Sequence, residues 1–196
     1  MGRFRDMEER IKSISEKIRE LIPLFLSGED IDEALAVLME ILWGLTPDLT
    51  ETVKETLEEY ASDEIISAKW NNGTNYVESV AMIPKRIYAA ILKLIGDSDL
   101  EGKELADEAV RIFVTMLQNS LASIVETETT RVTAMEDLAE AKEEGKTRYE
   151  YVTAGDEHVC GICQTLEGET FDIESAMPGV NFPPMHPNCR CSIRFI

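Results

Sequence analysis

The sequence predicts an α+β protein, a mostly helical body followed by a small C-terminal β-rich unit. Three observations lead there. Apolar residues recur at steps of three and four through most of the first 145 positions, the spacing that keeps one helical face against a core. After Gly145 the texture changes to the alternating "TRYEYVTAGD", rich in Tyr, Val and Thr, as in a strand entering a turn. All four cysteines lie at or beyond Cys160, so whatever they hold is local to the tail.

The first helical stripe is Phe4, Met7, Ile11, Ile14, Ile18 and Leu21, and Pro23 is expected to end or kink it. Such a seam either docks another chain or, as is commoner, packs inside its own domain. Asp30 with Glu33 has the spacing of a capping box and opens a second helix bearing Ala34, Leu35, Leu38, Ile41 and Leu42, broken by "GLTPDLT". A third helix is expected from about Thr50 to Trp70, stopped by "NNG" at 71–73. The fourth, 75–95, contains Pro84 and is expected to turn or bend there, with Gly96 as its C-terminal cap. Ser98 and Glu101 suggest a further capping box. From there Leu105, Ala109, Phe113, Met116, Ser120, Ile124, Thr127, Arg131, Met135 and Leu138 keep a helical period to Gly145. Unbroken, that run would reach about 65 Å at about 1.5 Å per residue, too long for one compact domain, so a break or strong bend is expected near Asn119 or Ser123. "GETF" and "CSIRFI" read as two more short strands, and the Pro- and Gly-rich stretch 178–187 as an irregular loop. The expected organisation is therefore a helical N-terminal region, 1–97, and a second domain, 98–196. The latter comprises a long helix or helix pair, 98–145, and a β unit, 146–196.

With 196 residues, 44% of them hydrophobic, the chain can bury one sizeable core or two small ones. Its formal net charge of −19 repels a phosphate backbone, which disfavours broad nucleic-acid binding and leaves room only for a weak local DNA contact through Arg190 and Arg194. No run of about 18 apolar residues exists to span a membrane, and the charged start "MGRFRDMEER" does not resemble an export signal. A reducing, intracellular setting is expected.

Cys160 and Cys163 have the two-residue gap of a metal knuckle, with Gly161 easing the turn, and His186 and Cys189 repeat that gap. Together they make a Cys3His set suited to tetrahedral zinc, the expected cofactor. Cys191 is a fifth candidate, ranked last, because an extended chain would point Cys189 and Cys191 to opposite faces. An all-cysteine set that includes Cys191 ranks second. A tail unit of this size hides too little apolar surface to fold firmly alone, whereas structural zinc contributes on the order of 10 kcal/mol. The oversupply of ligands, the lack of a His-x-Glu element and the presence of two histidines in all speak against a catalytic ion, so no enzyme activity is expected. His158 reads as an exposed loop residue. Asp156 is expected to cap backbone N–H groups at the knuckle, to pair with Arg190, or simply to form a turn. Glu128 and Arg131 have the spacing of a helical ion pair or of a solvated face.

The ordered elements "ETETTR" at 126–131, Tyr151 and Thr153, Asp156, Cys160 and Cys163, Leu166 and Gly168, and "HPNCRC" at 186–191 resemble the phage head morphogenesis family, minor head proteins similar to protein F of phage Mu. Glu126 stands where the family usually has arginine, and Tyr151 where tryptophan is common. The resemblance implies that 98–196 is a head-morphogenesis-like domain in a minor capsid protein of a tailed phage or prophage. It further implies action in procapsid assembly at the portal vertex. The implied partners are the portal protein and a scaffold or major capsid protein, and the implied location is the virion interior and the host cytoplasm. Two other readings are a zinc-stabilised intracellular adaptor and, behind it, a metal-dependent enzyme or toxin-associated domain.

Overall fold

The computed structural model describes residues 2–28, 30–70 and 73–196, with side chains from Asp6 onward. The side chain of the predicted stripe's Phe4, and the stop signal's Asn71 and Asn72, lie outside the described residues. Seven helices and three strands are present among the described residues: α1 Gly2–Ser27, α2 Ile31–Trp43, α3 Thr46–Leu57, α4 Asp63–Ser67, α5 Tyr76–Asp97, α6 Gly102–Glu143, β1 Arg148–Val152, α7 Gly161–Leu166, β2 Thr170–Asp172 and β3 Ser192–Phe195. The fold is mostly helical with one small antiparallel sheet near the C-terminus, as the sequence predicts.

The chain forms two compact units, one of Met1–Thr52 with Glu78–Leu121, the other of Val53–Val77 with Ala122–Ile196. In the first, Ile14, Ile18 and Leu21 of the predicted stripe are buried, so α1 uses that face for its own core. Trp43 meets Tyr88 edge-on at 5.9 Å. Arg10 donates to the Gly44 carbonyl and pairs with Asp48, tying α1 to the α2–α3 turn.

Several boundaries differ from expectation. Pro23 sits inside α1, four residues before its end and exposed, where water can replace the lost hydrogen bond. Asp30 occupies the cap position of α2 but is left-handed, φ 52°, with no side-chain cap bond, so the capping box does not form. α5 continues through Pro84 as one helix. Removing one hydrogen bond costs about 3 kcal/mol, less than the several buried side chains beside it, Val80, Ile83, Ile87 and Ile91, each bringing about 1.5–3 kcal/mol. α5 also runs through Gly96 to Asp97. Ser98 accepts the Leu100 N–H in a local turn instead of capping α6.

The expected break in α6 is absent: it is one helix of 42 residues. Neither proline nor glycine occurs between Gly102 and Gly145. The burial does divide, however. Leu105, Ala109, Phe113 and Leu117 are buried in the first unit, Thr127, Glu128, Arg131, Val132, Ala134 and Leu138 in the second, and nothing from 118 to 126 is buried. The expectation presupposed one core; here one helix supplies two.

The predicted helix from Thr50 to Trp70 is replaced by α3 and α4 with a turn at 58–62. The break is stabilised from α6. The Glu136 carboxylate accepts the Ser62 N–H at 2.6 Å, at the start of α4. Arg131 donates to the carbonyls of Ile65 and Ile66, both at 3.1 Å, at its end. The Arg131 guanidinium also holds Glu128 at 2.7 Å, and Glu128 accepts the Trp70 indole N–H at 2.8 Å. Arg131 is 0% exposed and Glu128 3%, so the helical pair is a buried one and not a solvated face.

All three predicted strands form. β1 is central, antiparallel to both neighbours, with Tyr149 opposite Phe171 and Phe195 and Tyr151 opposite Ile193. Tyr149 is buried with Ala134, Leu138, Ala141, Ile173 and Phe182, and meets Phe182 edge-on at 5.4 Å. This cluster seats the sheet on the second half of α6.

Candidate metal centre

The Cys160–Cys163 knuckle is more ordered than a bare turn. Cys160 caps α7, its sulfur accepting the Cys163 N–H at 3.5 Å, which orients both side chains to one side. The second ligand segment is built on a turn: the Cys189 N–H donates to the His186 carbonyl at 3.1 Å, with Pro187 and Asn188 between. Proline followed by a residue of positive φ, here Asn188 at 59°, makes this a type II turn. It leads directly into β3.

All five predicted residues come together. The ligating atoms of Cys160, Cys163 and His186 lie within 4.8 Å of one another, as do those of Cys163, Cys189 and Cys191. The His186 Nε2 is 3.2 Å from the Cys160 sulfur and 3.4 Å from that of Cys163, and the Cys163 and Cys189 sulfurs are 3.9 Å apart. With bonds of about 2.3 Å to sulfur and about 2.1 Å to nitrogen, a tetrahedral ion spaces its ligands by about 3.6–3.8 Å; these three separations lie within a few tenths of an ångström of that, and Cys163 is the donor that the two triads share. Cys189 and Cys191 share a side, contrary to the expectation of opposite faces, because β3 starts only at Ser192 and the intervening backbone is not strand. His158 is exposed and pairs with Glu157 at 3.9 Å, outside both ligand triads.

The surroundings suit a metal. The Pro187 carbonyl can only accept, so its 2.9 Å contact with His186 Nδ1 places the proton there and turns the Nε2 lone pair toward the sulfurs. The same bond raises the His186 pKa. The Cys160 thiol is pulled down to about 7, chiefly by the Cys163 N–H that it accepts, whereas burial pushes the Cys163 thiol up. The Tyr151 hydroxyl reaches the Cys163 sulfur at 3.5 Å. The cavity that the five residues line is about 20 Å³, room for one small sphere. A soft, mostly sulfur donor set of this kind can hold a metal ion.

Two straps join the ligand segments to the rest of the unit. Asp156 does both things expected of it: one oxygen accepts the His158 N–H at 2.9 Å, and the carboxylate takes the Arg190 guanidinium in a two-point pair at 2.9 and 2.8 Å. That pairing holds its carboxyl below the ordinary aspartate range. The other strap comes from α6, where the Thr127 hydroxyl accepts the Asn188 N–H at 2.9 Å. Arg194, the other cation considered for DNA, pairs with Glu150 at 2.5 Å.

A sequence profile described as Phage Mu protein F like protein matches residues 70–194. The chain belongs to that family. The match runs from Trp70, the partner of Glu128, through the "ETETTR" segment of α6 to β3, and so takes in every residue of the cysteine and histidine cluster. Membership makes this a phage head morphogenesis protein, of a structural family, associated with the capsid and with other head components. No curated protein and no solved structure matches the chain significantly. No helix among the described residues is long and apolar enough to cross a membrane.

The sequence alone did not point to Thr127, Trp70 or the Tyr151 hydroxyl as supports of this arrangement. One signal was present: "HPNC" places Pro and Asn at the two central positions of a type II turn.

Proposed function

We propose that this family member is a minor capsid protein acting in procapsid assembly at the portal vertex, and that one structural zinc ion held by Cys160, Cys163, His186 and Cys189 closes its C-terminal unit, with Cys191 the alternative fourth donor. In this reading the zinc unit, 146–196, is the rigid end of a head-morphogenesis domain, 98–196, and the helical region 1–97 extends it. The portal protein, with scaffold or major capsid protein, is the partner. The task is to hold and present a surface, without chemistry at the metal. The observation that carries the reading is the convergence of four cysteines and one histidine from two distant segments into one pocket, inside the stretch that the family profile matches.

The ion would join α7 to the turn before β3, and β3 pairs with β1. Losing it would loosen the last strand, because between β2 and β3 the buried anchors other than the cysteines are Ile173 and the run Phe182, Pro183 and Pro184. The test is metal content and free-thiol count on purified protein, then localisation of the wild type and Cys163→Ser in procapsids from a complementing phage. One zinc per chain, and loss of portal-vertex incorporation with the variant, are expected. Protein without stoichiometric metal, or a C163S chain that enters procapsids normally, refutes the reading.

A further inference from the structure

The His186–Cys189 turn contains one peptide whose orientation defines its type. In a type II turn the plane of the central peptide, here Pro187–Asn188, is flipped relative to type I, and neither its N–H nor its C=O takes part in the turn's own hydrogen bond. Both ends are held from outside. The carbonyl, Pro187 O, takes the Nδ1–H of His186 at 2.9 Å. The N–H, on Asn188, goes to the Thr127 hydroxyl at 2.9 Å. That hydroxyl is itself aimed, because it donates to the Ser123 carbonyl one helical turn back at 2.6 Å and so keeps a lone pair for Asn188. Thr127 is buried, on a helix tied to Trp70 through its neighbour Glu128 and to α4 through Arg131.

We propose that Thr127 is a positioning residue for the metal centre, holding the Pro187–Asn188 peptide so that His186 presents Nε2 to the thiolates and keeps its proton on Nδ1. The inference rests on the reading of His186 as a ligand, and it goes beyond it by placing control of the ligand's tautomer on α6. Without the hydroxyl, the part-buried N–H of Asn188 loses its protein acceptor. The peptide then gains by rotating toward type I, which swings Pro187 O away from Nδ1. The imidazole is released to either tautomer, and one of them offers an N–H, not a lone pair, to the sulfurs. A β-branched core residue would do for packing alone; what the site uses is the hydroxyl.

The experiment compares Thr127→Val, Thr127→Ala and Thr127→Ser in the full chain, carrying His158→Gln so that His186 is the sole histidine. The first readout is the pair of ring nitrogen shifts of His186 by NMR, on reduced, metal-free protein above the titration range of histidine. Wild type and T127S are expected to show a single Nδ1–H tautomer, T127V and T127A a mixture. The second is affinity for the zinc ion alone, by competition with a chromogenic chelator: about 10-fold weaker for T127V and T127A, and restored to within about 2-fold by T127S. In a His186→Cys background, where no tautomer is at stake, the effect of T127V should vanish. An unchanged tautomer in T127V and T127A overturns the proposal, as does an equal affinity loss in the His186→Cys background, which would mark Thr127 as packing only. If wild type binds no zinc, the metal reading fails, while the NMR comparison still decides what Thr127 does to His186.

Discussion

Arg131→Met removes a charge that is wholly inside the protein. Arg131 is 0% exposed and its guanidinium bonds Glu128 at 2.7 Å, the Ile65 and Ile66 carbonyls at 3.1 Å each, and more weakly the Met135 sulfur at 3.5 Å. Methionine keeps most of the stem's volume, so the loss is chiefly polar. What remains is a carboxylate 3% exposed whose remaining partner is the Trp70 indole. Breaking a buried pair from one side costs about 3–5 kcal/mol. The two carbonyls, worth about 1–3 kcal/mol each if left dry, add little beyond that, because the five-residue α4 can peel away into water more cheaply than it can stay unsatisfied. The net expectation is about 3–5 kcal/mol of stability lost by the second unit. The assay is urea unfolding followed by fluorescence in a Trp43→Phe background, so that Trp70 is the sole reporter. Replacing both members, Glu128→Leu with Arg131→Met, should recover about 2 kcal/mol or more, since a buried pair is roughly neutral against apolar residues of similar volume. A single-variant loss below about 1 kcal/mol, or a double variant weaker than either single one, refutes the reasoning.

Cys163→Ser should abolish stoichiometric zinc and make 146–196 protease-sensitive with far-UV helix signal nearly unchanged; a wild-type digestion pattern contradicts the zinc reading. His186→Ala should weaken zinc binding more than Cys191→Ser does, by chelator competition, and the reverse order would make Cys191 the fourth ligand. Acidification should release the ion, seen with a metallochromic dye, because thiolate and imidazole ligands bind metal only when deprotonated, so affinity falls as pH falls; retention through acid unfolding of the tail would contradict it. Asp156→Asn breaks a half-exposed pair, so the denaturant midpoint should hardly move, and a clear drop would mean that the strap carries the unit.

How much was legible follows from the range of each interaction. The stripe of α1, the alternation of β1 and the two-residue gaps between ligands are local patterns, and each appears where the spacing put it. Asp156 and Arg190 were also readable as partners once the two ligand segments were assumed to meet. That α1, α5 and α6 run on past Pro23, Pro84, Gly96 and Asn119 has one cause. Local propensities of about 1–3 kcal/mol were set against burial whose sum cannot be seen from one segment. The turn at 58–62 is the plainest case, because the groups that hold it, Glu136 and Arg131, lie some 70 residues further on.

By itself the sequence determined the chemistry of the tail: which atoms can bind a metal and how far apart along the chain they sit. Only the tertiary structure decided that Cys191 lies beside Cys163 and Cys189, that Glu128 and Arg131 face inward, and that a hydroxyl on α6 meets the turn before β3. The physical reason is that donor type and spacing are covalent facts. Burial, and the partner that makes burial of a polar group tolerable, belong to segments that meet only when the chain has folded.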